Sequence, residues 1–170
     1  MKASADDKKD YPVETPEGTI IAKKSTEDPI EQKFTSLTDE QRDSIKAWEL
    51  AAHSFVKAYL GDDAEVSLKS CDEAFFAWQR EENKRFTDSQ VISYLGAYLG
   101  QKCVEDLEME WKIITDEYGS DYAVEYTKGL VHAFPLSSVA KRVEANTHEF
   151  MYPVFYAIKQ NIKDGDYKRK

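Results

Sequence analysis

Three carboxylates fall within six residues in the second half of the chain. Asp116 and Glu117 precede Tyr118-Gly119-Ser120, and Asp121 and Tyr122 follow. Carboxylates this close suit two kinds of chemistry. As calcium ligands they need the EF-hand spacing, with an Asp or Asn at positions three and five, then a Gly, and a closing Glu at twelve. The stretch lacks all of these. As a general acid and base they must face one substrate with separated pKa values. Adjacent strand residues point to opposite faces, so Asp116 and Glu117 are not such a pair. Asp116 and Asp121 are the two that can meet across the turn. An Asp leading a glycine-containing turn also bonds its own backbone, and that structural reading takes precedence.

The other reactive side chains are scattered. His53, His132 and His148 form neither H-E-x-x-H nor H-x-x-E-H. His132 alternates with Val131 and Ala133, on a face with Leu130 and Phe134, a packing position. A Cys103–His132 nucleophile pair across a helix–sheet interface is conceivable. Cys103 lies in an apolar stripe, which argues for an inert thiol. Cys71 and Cys103 have no second pair to build a zinc site and read as free, buried thiols in a reducing compartment. Ser137-Ser138 opens a helix, and a helix N-terminus attracts anions. Lys141-Arg142, one turn on, suits a phosphate or a carboxylate partner, or merely a solvated face. No phosphate-binding loop and no G-x-S-x-G elbow occurs. No cofactor and no metal is implied. Among the aromatic residues, Tyr118 and Tyr122 are the first to test as exposed interface anchors.

The elements that must position these residues are legible from spacing. Residues 1–36 are polar and read as a mostly flexible arm, interrupted around Thr15-Pro16-Glu17-Gly18 by either a short hairpin or one strand added to the sheet edge. Residues 37–163 read as one α+β domain and 164–170 as a basic tail. Thr38-x-x-Gln41 and Thr87-x-x-Gln90 are capping boxes. The first opens a helix with Ile45, Trp48, Ala52, Phe55, Val56 and Tyr59 on one stripe, ending at Gly61. A second helix, started by Asp62 or Asp63, carries Leu68, Cys71, Phe75 and Trp78. The third carries Ile92, Leu95, Leu99, Cys103 and Leu107. Gly96 and Gly100, beside that stripe, each cost about 1 kcal/mol against alanine in a helix, so a closely approaching neighbour is expected there. The period then changes from helix to strand. Residues 110–116, 122–126 and 130–134 read as a three-stranded antiparallel meander on which the helices pack. Pro135 sits at a first helical position, Asn146 ends that helix, and a last helix runs over about 153–162.

These motifs resemble a known family. Leu95-Gly96 and Leu99-Gly100, Met109-Glu110-Trp111, Asp116–Gly119, Phe134-Pro135-Leu136 and Lys141-Arg142 are similar, in order and spacing, to the bacterial domain-of-unknown-function family numbered 3806. The resemblance covers roughly residues 64–145. It implies a fold boundary and a bacterial origin; that family carries no established activity.

Charge bounds the partners. The 170-residue chain carries a net charge of −9. Residues 37–126 hold 9 basic and 20 acidic side chains, whereas 127–170 hold 8 and 4. So acidic a middle repels nucleic acid and anionic lipid. No apolar run approaches the ~18 residues that span a bilayer, and no signal-peptide core precedes Pro12, so a soluble, cytoplasmic protein is expected. The reading that follows is a non-enzymatic protein-interaction domain, of inhibitor or immunity type, whose acidic surface meets a basic protein or a second copy of the chain. Its contact residues would be Asp116, Glu117, Tyr118, Asp121, Tyr122, Lys141 and Arg142. The alternative is an enzyme of unrecognised type with its site at the 116–121 turn and His132.

Overall fold

A computed structural model of the chain describes residues 31–128 and 131–165, and the backbone of Lys9–Thr15 and Gly18–Lys24. The chain divides into two compact units between Glu31 and Gln32. In the first, β1 (Lys9–Thr15) pairs antiparallel with β2 (Gly18–Lys24), with Thr15 opposite Gly18. Of the two arrangements expected there, that is the hairpin; its central residues, 16 and 17, lie outside the described residues, as do 25–30.

The second unit holds five helices and a four-stranded antiparallel sheet. The strands are β3 (Lys33–Ser36), β4 (Met109–Asp116), β5 (Gly119–Tyr126) and β6 (His132–Ala133), adjacent in that order. The expected meander is therefore one strand short. Lys33–Ser36, assigned above to the polar arm, pairs along β4 with Phe34 opposite Ile114. Four residues with a single large apolar side chain carry no readable alternation; the edge of β4 makes them a strand. The third expected strand is shorter than drawn, and residues 129–130 lie outside the described residues.

The helices are α1 (Asp39–Leu60), α2 (Leu68–Arg80), α3 (Asp88–Leu107), α4 (Pro135–Ala145) and α5 (Met151–Gly165). Thr38 and Thr87 close the expected capping boxes, each with its backbone N–H donating to the glutamine side chain at 2.9 Å. The start of α2 differs from expectation. Asp62 and Asp63 lie in the preceding loop, and Ser67 is the cap. Its N–H donates to Ser70 Oγ at 2.8 Å while its own Oγ accepts from Ser70 N at 3.1 Å. Serine at the third helical position does there what glutamine does in the other two boxes. Asn146, left-handed at φ 51°, ends α4 as read. The last helix is longer than read and takes in the start of the expected tail; 166–170 lie outside the described residues.

α3 is the central element, touching α1, α2, α4, α5, β4 and β5. Its two glycines explain how. A Cβ on Gly96 would lie 2.7 Å from the Cα of Leu136, so α4 crosses α3 backbone to backbone. A Cβ on Gly100 would run into the indole of Trp111 and come 3.1 Å from Pro135 Cγ. The absent side chains, four apart on one face of α3, make room for α4 at both positions and for the sheet at Gly100. One core joins Phe55, Phe75, Trp78, Leu95, Leu99 and Met151. A smaller cluster of Leu37, Ile45 and Ala97 meets Trp48, Trp111, Ile113 and Tyr122.

Candidate functional site

The sheet has two unlike faces. Met109, Trp111 and Ile113 on β4, with Tyr122, Val124 and Tyr126 opposite them on β5, form the face turned to α3. The other face carries Ile114, Asp116, Asp121, Ala123 and His132, with Phe34 on the outer strand. Phe34 and His132 belong to the two edge strands, yet their ring centroids stand 5.8 Å apart. Three inter-strand steps would separate flat strands by about 14 Å. This face is therefore concave. Beneath the rings, Ile114 and Ala123 are buried.

Where this face meets α4 and α5 it opens into a cleft of about 1010 Å³. Asp116, Tyr118, Asp121 and His132 line one side; Ser137, Ser138 and Lys141 come from the first turns of α4. Val154, Ala157, Ile158 and Asn161, at helical spacing along α5, form the remaining wall. Pro135 at the first helical position puts Ser137 within reach of β5, where its Oγ donates to Asp121 Oδ2 at 2.5 Å. Asp121 thus brings a carboxylate to an N-terminus with no side-chain cap of its own. The anion site expected at Ser137-Ser138 is met by the protein's own side chain.

The structure brings together four of the seven residues singled out as contacts. Asp116, Tyr118, Asp121 and Lys141 share the cleft, and Tyr118 is 81% exposed at the turn tip. Glu117 is exposed at the same tip but does not line the cleft. Tyr122 points to the opposite face, half-buried, edge-on to Trp48 at 5.7 Å and Trp111 at 6.4 Å. Arg142 turns its guanidinium to Phe150, 5.8 Å from the ring centroid.

Asp116, Asp121, Ser137 and His132 are engaged with their own walls. Asp116 Oδ1 accepts from the Tyr118 N–H at 2.8 Å, the turn-closing bond that its position predicts. The His132 ring lies edge-on between Phe34 and Phe134, 5.6 Å from the latter. Ser137 and Asp121 make a hydroxyl–carboxylate pair with no histidine bonded to it among the described residues, so the base that activates a serine nucleophile is missing from the pair. Cys103 and His132 are not a pair. Cys103 is sealed in the core, where burial pushes its thiol up to about 12, while His132 stands on the sheet face turned away from α3. Cys71, also buried and free, is displaced upward by the same cause. Among the described residues, no three His, Cys, Asp or Glu side chains converge as metal ligands, and no helix is long and apolar enough to cross a membrane.

Residues 77–155 match the model of a family described as a domain of unknown function, DUF3806. It is the family that the LG, MEW and FPL motifs resemble, and the match ends ten residues beyond the boundary read from them. It spans the cleft walls from β4 to the first residues of α5 and leaves out α1 and β3. A crystal structure of a protein from Bacteroides thetaiotaomicron VPI-5482 is similar at a TM-score of 0.60 and 14% identity. The likeness covers 85% of this chain and 52% of that one, so the chain spans about half the length of that protein. At this identity the likeness shows the fold alone. No curated protein matches the sequence.

Sequence reasoning missed the α5 wall and Phe34. The span 153–162 read only as a last helix, and it is the place of Val154, Ala157 and Ile158 opposite Asp121 and His132 that makes them part of a site.

Proposed function

We propose that the domain is a protein-interaction module that receives an extended segment of a partner in the cleft between the sheet and α4 and α5. The observation that carries this reading is the composition of the cleft. It pairs an apolar wall, Val154, Ala157 and Ile158, with acidic groups at Asp116 and Asp121 and an exposed aromatic ring at Tyr118. An extended peptide presents side chains alternately to such walls. The excess of acid over base in residues 37–126 favours a basic segment and speeds its encounter.

An acid–base reading of the same cleft is weaker. Asp116 holds its turn, Asp121 holds α4, and His132 is packed between two rings. The test is selection of peptides from a random display library on the purified protein, followed by mapping of the binders by NMR. Enrichment of basic sequences that shift Tyr118, Asp121 and Val154 is expected, and Val154→Arg should abolish it. No enrichment over a scrambled pool would sink the reading.

A further inference from the structure

On another part of the surface, α2 and the turn entering α5 enclose a recess of about 540 Å³. Its rings are Phe76, His148 and Tyr152; Phe76 is 37% and Tyr152 52% exposed. Its charged groups are Asp72, Glu73 and Glu149 against Lys69 alone. Two of the carboxylates are already engaged. Asp72 Oδ1 accepts the N–H groups of Phe150 and Met151, each at 3.0 Å. Glu73 lies 3.8 Å from the Lys69 ammonium. Glu149 has no ion partner among the described residues, and its backbone is left-handed at φ 57°. A non-glycine residue held in that region persists only where its surroundings impose it.

The neighbouring rings already accept cations from this chain. The Arg80 guanidinium stands 5.1 Å from the Phe76 centroid, and the Lys159 ammonium 5.7 Å from that of Tyr156, which stacks on Tyr152 at 4.7 Å. Neither cation lines the recess. We infer that the recess is a docking site for an arginine side chain of a basic partner protein, its guanidinium lying against Phe76 and Tyr152 and bonded to the Glu149 carboxylate. An anion would meet three carboxylates. A purely apolar side chain would leave Glu149 desolvated and unpaired. Arginine meets both demands: it is weakly hydrated, stacks on ring faces and bonds a carboxylate through two N–H groups, whereas a lysine ammonium is a strongly hydrated point charge. None of these residues lines the cleft, so the inference stands or falls apart from the reading above.

The experiment is NMR titration of the full chain with N-acetyl-arginine amide, with its lysine and glutamine counterparts as controls. Saturable shifts are expected at Phe76, His148, Glu149 and Tyr152 but not at Asp121 or His132, with arginine several-fold tighter than lysine. Glu149→Gln and Phe76→Ala should each weaken arginine binding several-fold while the remaining spectrum stays in place. Absence of saturable shifts in the recess, equal response to the glutamine amide, or full affinity in Glu149→Gln would each overturn the inference.

Discussion

The cleft and the recess share α5 but are built in opposite ways. The cleft uses the middle of that helix, and its other walls come from one hairpin, the strand after it and the next helix, within residues 114–141. The recess uses only the entry to α5 and joins it to residues 69–76 of α2. The first is held by neighbours in sequence; the second exists because Asp72 reaches across 78 residues to the Phe150 amide. Carboxylates accordingly have different work in the two. Asp116 and Asp121 stabilise a turn and a helix start that local sequence already favours. Asp72 supplies to α5 the cap that its own sequence lacks.

The sharpest way to break the cleft alone is at its foundation. Gly100→Ala drives a methyl group into the Trp111 indole and toward Pro135, forcing the sheet off α3. A loss of about 3 kcal/mol is expected, read from urea unfolding, with a change in tryptophan fluorescence. An unchanged midpoint would mean that the indole yields freely and the cleft wall is soft.

The recess breaks at Asp72. Asp72→Ala strands two buried amides and should cost about 2 kcal/mol, whereas Asp72→Asn keeps an acceptor and should cost less than half of that. Burial holds the Asp72 carboxyl above its ordinary value, outweighing the amides that favour the anion. The folded form therefore binds its proton more tightly than the unfolded form. That contribution to stability is fully present below the ordinary carboxylate range and is lost as pH rises through the raised value. Comparing the pH dependence of unfolding in wild type and Asp72→Asn isolates it; identical slopes would contradict the shift.

Ser137→Ala removes the bond from α4 to Asp121 and should cost about 1 kcal/mol in thermal unfolding while leaving arginine titration of the recess untouched. Smallest in stability is Tyr118→Ala, within about 0.5 kcal/mol of wild type for so exposed a side chain, yet it should weaken the peptides selected on the cleft. A peptide affinity indifferent to Tyr118 would move the contact surface away from the turn.

The same division runs through what was readable beforehand. The caps at Thr38 and Thr87, the turn bond of Asp116 and the stop at Asn146 follow from interactions within a few residues, the need for close contact at Gly96 and Gly100 from the cost of glycine in a helix, and all hold. Lys33–Ser36 did not read as a strand because a four-residue edge strand takes its conformation from its neighbour. Tyr122 gave no sign of which sheet face would be buried deeper, and it went to the face that packs with Trp48 and Trp111.

Periodicity and capping chemistry in the sequence alone settled five helices, a hairpin led by Asp116 and the side-chain-free row on α3, because each is decided by hydrogen bonds and burial repeating within one element. Tertiary structure alone decided the fourth strand, the cap that Asp72 gives α5, the concavity that brings Phe34 to His132, and the recess at Glu149. Those depend on which surfaces meet, and burial free energy is nearly indifferent to the sequence distance between the atoms it brings together.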